Sequence, residues 1–287
     1  TVAAVSGVEV LYPTDDNRPI FVGERTNVIG SRRFKELIAS DQLVEAAEVG
    51  RAQVKASAQV LDVCLANPDR DEVVDTERFL PVLARTVKVP LMIDSTDAKV
   101  IELALKHCQG KAIVNSINLE DGEERFDRVV PIIKTYGAAV VVGCIDEDKQ
   151  QGMAVTVERK LAVASRSHEL LTGRYGLPAR NLIFDPLVFP VGTGDRNYLG
   201  SAVATIEGVR VIKERFPECR TILGISNVSF GLPLAGREVL NAAPDGHTLL
   251  WVANGHATNP LVVKKMPFDP LRDLASISLT SSTPMLL

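Results

Sequence analysis

The sequence predicts an α/β chain: a (β/α)8 TIM-like barrel, incomplete at its eighth βα unit. Three observations lead there. First, five short apolar runs, at 21–27, 90–95, 112–116, 182–186 and 223–230, each carry a carboxylate or an amide at or near the end. Unbroken apolar runs of this kind mark parallel strands covered on both faces. Second, segments of amphipathic helical period lie between the runs. Third, strand and helix alternate seven times with short connections, which favours a barrel over an open sheet.

Taken in order, residues 1–19 read as a lead-in linker, because Pro13, Asp15, Asp16, Asn17 and Pro19 crowd it. The first strand is expected at 20–23. Helical periodicity follows over 31–39 and 42–57, with Leu43, Ala46, Ala47, Val49 and Val54 on one face. Further strands are expected at 60–64, 91–93, 112–114, 138–145, 182–184 and 221–225. Helices are expected at 71–86, 97–107, 121–135, 155–173 and 201–215. A helix that begins at 234–240 stops at Ala242-Ala243-Pro244-Asp245-Gly246. Beyond it no eighth βα unit is evident, although 248–252 has the composition of a strand.

The net charge of −4 and the lack of a basic block argue against a nucleic-acid partner. No run approaches the ~20 apolar residues of a membrane span, and no basic-then-apolar leader stands at the start, so no membrane association is expected. Cys64, Cys108, Cys144 and Cys219 form no CxxC pair. They read as reduced, buried thiols of a cytoplasmic protein, with neither a disulfide framework nor a metal centre.

In a barrel the C-terminal ends of the strands build the site. Those ends gather Glu24, Asn27, Asp94, Asn115, Asp185 and Asn227. Carboxylates accept paired hydrogen bonds, and amides both donate and accept. Such a set suits a neutral, donor-rich heterocycle, such as the 2-amino-4-oxo edge of a pterin, better than a phosphate. Asp62 and Asp146 also end strands and are second-choice ligands. For any single Asp the alternative is a cap on the following helix, which suits Asp94-Ser95. Six such residues on one rim favour a site. His107, His168, His247 and His256 read as solvated or core residues. Gly192-Thr193-Gly194 lacks the lysine and the spacing of a phosphate loop.

The phrases GERTN at 23–27, MIDS at 92–95, VNS at 114–116, FDP at 184–186 and SNVSFGLP at 226–233 carry a resemblance. Together and in this order they resemble the pterin-binding (methyltetrahydrofolate) domain of cobalamin-dependent methionine synthase, over about 20–241. The resemblance implies a methyltransferase module of methionine biosynthesis and one-carbon metabolism, with 5-methyltetrahydrofolate as substrate. It implies that Asp94, Asn115 and Asp185 hydrogen-bond the pterin and that Glu24 and Asn27 shape the site. Asn227 would be the catalytic residue near N5, which must gain a proton or a strong hydrogen bond as its methyl departs. The Co(I) corrinoid that takes the methyl must come from a partner, because no DxHxxG motif is present. The zinc thiolate cluster of a homocysteine module is also missing. Two relatives of this activity stay in view: a methyltetrahydrofolate:corrinoid/iron–sulfur protein methyltransferase, and a dihydropteroate synthase-like condensation. The second needs a basic pyrophosphate site, whereas the seventh strand ends in Ser-Asn-Val-Ser.

From 242 the sequence changes character. APDGHTLL at 243–250, the Asn-Pro at 259–260 and KKMPFDP at 264–270 are similar to periplasmic solute-binding proteins of tripartite tricarboxylate transporters. Segment 242–287 therefore reads as foreign to the barrel. It supports a third, non-enzymatic reading, a carboxylate-binding protein, on this segment alone. A barrel cut short at such a junction would leave open strand edges, which promote aggregation.

Overall fold

The computed structural model describes residues 4–14, 16–191, 193 and 195–229. Two short strands, β1 (Val5–Ser6) and β2 (Val10–Leu11), pair antiparallel. Seven parallel strands follow in one sheet: β3 (Val22–Asn27), β4 (Val60–Cys64), β5 (Leu91–Asp94), β6 (Ile113–Leu119), β7 (Ala139–Asp146), β8 (Leu182–Asp185) and β9 (Arg220–Thr221). Their spatial order is their chain order. Helices α1 (Arg32–Ala39) and α2 (Leu43–Lys55) follow β3. Then α3 (Glu72–Thr86), α4 (Ala98–His107), α5 (Glu124–Tyr136), α6 (Val157–Glu169) and α7 (Ser201–Arg215) alternate with the strands. This is an incomplete (β/α)8 fold, and among the described residues β3 and β9 end the sheet.

The helices start where the sequence supplies a cap. Asp71 accepts from the N–H groups of Val73 and Val74, Asp97 from that of Lys99, and Thr156 from that of Arg159. Helix α5 ends on Gly137, whose φ of 65° is a left-handed conformation open to glycine at little cost.

Strand parity divides the core in two. Leu61, Val63, Ile93, Val114, Val140, Val142 and Phe184 face outward, into one cluster with Phe34, Phe79 and Phe126 of the helices. Val60, Met92, Ile113, Ala139, Val141 and Ile183 face inward and form a second, smaller cluster. Side chains two residues apart share a face of a strand. The next inward positions are therefore Asp62, Asp94, Asn115 and Asp185. The strands thus have an apolar floor and a polar mouth.

The floor is closed by the β1–β2 pair. Val5 joins the inward cluster, and Leu11 packs against it. The Ser6 N–H donates to Lys111 O at 2.9 Å, and Ser6 Oγ accepts from the Lys111 N–H at 2.8 Å. The lead-in linker expected over 1–19 is corrected here: part of it is a hairpin that seals the barrel. Strands of two residues are too short to show a period, which hid them.

Other boundaries also moved. The first barrel strand starts later than expected and runs on to Asn27. The last is shorter than expected, and a 3-10 turn, Ile225–Ser229, follows it. Helix α6 passes into a π turn, Leu170–Arg174. The helix expected at 234–240, the strand at 248–252, segment 242–287 and the glycines Gly192 and Gly194 lie outside the described residues. Cys64, Cys144 and Cys219 are buried free thiols and Cys108 is partly buried. Among the described residues no helix is long and apolar enough to cross a membrane.

Candidate functional site

The mouth is shaped first by an irregularity in β3. Gly23 pairs with Leu61, but Thr26 pairs with Val63, so Glu24 and Arg25 together oppose the single residue Asp62. Such bulges re-aim the side chains that follow. This one is held by the Arg25 N–H donating to Gln53 Oε1 at 2.6 Å and by Thr26 Oγ1 donating to Asp62 O at 2.5 Å.

Asn27 stands just beyond the bulge. Its Oδ1 accepts from the N–H groups of Ile29 at 2.8 Å and Gly30 at 3.0 Å. These bonds fix which end of the amide is which. Its Nδ2 then faces two carboxylates, Asp62 Oδ2 and Asp94 Oδ2, each at 3.4 Å. From the other side Asn115 Nδ2 donates to Asp62 Oδ1 at 3.3 Å. Asp62, a second-choice ligand by sequence, is therefore the hub of the mouth, with only 4% of its surface exposed.

Burial, and then the charge of Asp94, push the Asp62 carboxyl up to about 7, against the pull of its two amide donors. Asp94 is also raised by burial, with Glu24 adding to the rise; the Cys64 thiol and the Arg125 guanidinium oppose it. Near neutral pH the cluster therefore holds a proton that can be donated.

Asp94 does not cap α4, because Asp97 does. The simple capping role considered for Asp94 is absent. Asp185 makes a local turn instead: its Oδ1 accepts from the Leu187 N–H at 2.9 Å. Leu187 has a φ of 65°, a left-handed conformation that costs a leucine about 1–2 kcal/mol. The turn is thus held by its bonds rather than preferred locally. Burial raises Asp185, opposed by that N–H and by Lys160.

The remaining candidates stand outside these hydrogen bonds, although Glu24 acts on Asp62 and Asp94 through its charge. Asp146 already has both oxygens on Arg159 Nη2, each at 2.7 Å, and also accepts from the Asp148 N–H. Glu24 is exposed at the bulge. Asn227 sits in the turn after β9, with its backbone N–H on Gly224 O at 3.1 Å. A groove of about 600 Å³ between Phe21, Gln59 and Pro90 lies at the opposite end, beside the hairpin. Among the described residues no cluster of three His, Cys, Asp or Glu could hold a metal.

Two cations that sequence reasoning passed over support the mouth from behind. Arg125 of α5 donates to Ser116 O at 2.8 Å, Thr96 O at 3.2 Å and Ser95 O at 3.3 Å. It thereby ties together the residues that directly follow Asp94 and Asn115. Lys160 of α6 is fully buried and donates to Ala154 O at 2.8 Å and to Pro186 O. The signal was present for Lys160: with Val163, Ala164, Ser167 and Leu171 it occupies the buried stripe of its helix.

These features define a parallel α/β barrel whose mouth is lined by amides and carboxylates. A solved dihydropteroate synthetase with a bound product shares this fold, with a TM-score of 0.52 at 17% identity over 84% of this chain and 83% of that one. The family profile described as pterin binding enzyme matches residues 23–254, and the chain belongs to that family. It is 35% identical over 243 residues to methionine synthase of Mycobacterium tuberculosis (strain ATCC 25618 / H37Rv), covering 83% of this chain and 20% of that protein. It is 36% identical over 226 residues to methionine synthase of Mycobacterium leprae (strain TN), covering 78% and 18%. The chain thus spans about a fifth of the length of these relatives. A second profile, tripartite tricarboxylate transporter family receptor, matches residues 223–287 and overlaps the first.

Proposed function

We propose that this chain binds 5-methyltetrahydrofolate by its pterin ring and presents the N5-methyl group to a corrinoid on another module. The observation that carries the reading is the hydrogen-bonded set Asn27, Asp62, Asp94 and Asn115 at the mouth of a pterin-family barrel. Asp94 and Asp185 offer acceptor oxygens to the ring's N–H edge, and Asn115 offers both a donor and an acceptor. Asp62, poised near neutrality, keeps the paired carboxyls from repelling each other and can give a hydrogen bond to a ring nitrogen. Asn227 is assigned to N5, where an amide donor would stabilise the nitrogen as its methyl leaves. The corrinoid, when bound, supplies a Co(I) nucleophile. The acceptor-rich mouth suits the pteridine and leaves corrinoid and homocysteine to other modules, as the similarity to one fifth of methionine synthase supports. We place the activity in the cytoplasm.

Isothermal titration with 5-methyltetrahydrofolate tests this. Asp94→Ala and Asn115→Ala are each expected to weaken binding by about 100-fold, the scale of a buried charged or paired hydrogen bond lost. Unchanged affinity in both variants would sink the assignment. We also assign 242–287 to a segment unrelated to the barrel. A chain ending at Asn241 should then bind as the whole chain does; loss of binding on that truncation would count against the division.

A further inference from the structure

Lys160 is a fully buried cation that the proposed chemistry does not use. Its ammonium donates to Ala154 O, after β7, and to Pro186 O and Leu187 O, after β8. Thr205 Oγ1 of α7 adds a second bond to Leu187 O at 2.9 Å. The Phe189 ring lies 5.0 Å from the ammonium. The stem is wedged at Gly208, where a Cβ would stand 2.7 Å from Lys160 Cδ. One side chain therefore joins two neighbouring loops of the mouth. The second loop is the strained turn that carries Asp185, through the Leu187 N–H.

We propose that Lys160 is a positioning residue: it holds the 185–187 turn in the one shape that keeps the Asp185 carboxylate at the mouth, and ligand affinity depends on its charge. The inference rests on the reading of Asp185 as a ligand of the pterin. The groups that face the ammonium are few. Asp185 of β8 is a carboxylate, and Cys144 of β7 is a thiol that burial pushes up to about 12, so it stays neutral. Helix α7 faces it with Thr205 and Gly208, which carry no charge. Burial lowers Lys160 itself to about 8.

The test uses the full chain and Lys160→Met, which keeps the stem and removes the charge. Carbon-13 NMR of carboxyl-labelled aspartates follows the Asp185 signal, assigned by its loss in Asp185→Asn. In the wild-type protein this signal is expected to pass through a transition near pH 8, as Lys160 loses its proton. The transition should vanish in Lys160→Met. Titration with 5-methyltetrahydrofolate at about pH 7 should show affinity reduced about tenfold in the variant, the scale at which supporting groups act. The wild-type affinity should fall towards that of the variant by about pH 9. Stability should move the other way over that range, because the unfolded chain still holds the lysine proton there. A lysine that mattered only for folding would not separate the two. A wild-type Asp185 signal with no transition between about pH 7 and the ordinary lysine value of 10.5, or a transition kept in the variant, overturns the proposal, and the first of these needs no variant to fold. The transition without any wild-type binding would overturn the pterin reading while supporting Lys160 as the residue that positions Asp185.

Discussion

Raising the pH from about 4 to about 8 is expected to weaken the fold, and Asp62 contributes a defined share of that loss. Its folded carboxyl titrates at about 7 and its ordinary value is 3.8. Between those two values the folded state keeps a proton that the unfolded chain has released. The contribution is therefore fully present below 3.8 and is lost as pH rises through about 7. The gap corresponds to a ceiling of about 4 kcal/mol. Other carboxylates of the mouth shift in the same direction, because burial also raises Asp94 and Asp185. Asp62→Asn takes away one of these raised carboxyls, and urea melts at the two pH values should show a flatter dependence. Its gain at high pH is smaller than the ceiling. Asn27 and Asn115 donate to both carboxylate oxygens, and a carboxamide would turn its own N–H2 towards one of them, at a cost of about 1–3 kcal/mol. An equally steep dependence in both proteins would show that Asp62 is not the titrating group. The same substitution should weaken ligand binding, since the proton that Asp62 holds near neutrality is then gone.

Why a rim should tolerate this cost follows from the inward columns of the strands. The pairs Val60 and Asp62, Met92 and Asp94, Ile113 and Asn115, and Ile183 and Asp185 each place a polar group one step above the apolar floor. That pattern was legible in the sequence, because short apolar runs with polar ends are local signals. The hub was not. Asp62 lies within an apolar run, and its neighbours Asn27 and Asn115 come from strands 35 and 53 residues away. Only the bulge at Glu24-Arg25, which no period announces, brings the Asn27 amide across to it. Lys160 and Arg125 escaped for a related reason. Both sit on helices, where a charge is ordinarily read as solvated, and both act on backbone carbonyls, which leave no mark on sequence. The helix boundaries fell close to where they were expected, and in the structure Asp71, Asp97 and Thr156 cap three of the helices and Gly137 stops a fourth.

The far end of the barrel supplies the second large effect. Gly7 sits at the tip of the hairpin, where a Cβ would stand 2.3 Å from Lys88 O and 2.4 Å from Val89 O. Those are backbone atoms at the foot of β5, and they cannot swing aside as a flexible side chain would. Gly7→Val is therefore expected to lift the hairpin off the floor. Val5 would leave the inward cluster, at about 1.5–3 kcal/mol for a buried valine. The Ser6 bonds with Lys111 and the bond from the Glu9 N–H to Lys88 O would go with it, each at about 1 kcal/mol. A loss of roughly 5 kcal/mol should appear as a markedly lower melting temperature. If residues 1–19 were only a linker, the substitution would leave the melt unchanged. The mouth lies at the other end of the strands, so the folded fraction of Gly7→Val should bind 5-methyltetrahydrofolate with wild-type affinity at a temperature well below its melt. A fall in affinity without a fall in stability would mean that floor and mouth are coupled through the inward column, and that the hairpin sets the height at which Asp62 and Asp94 stand.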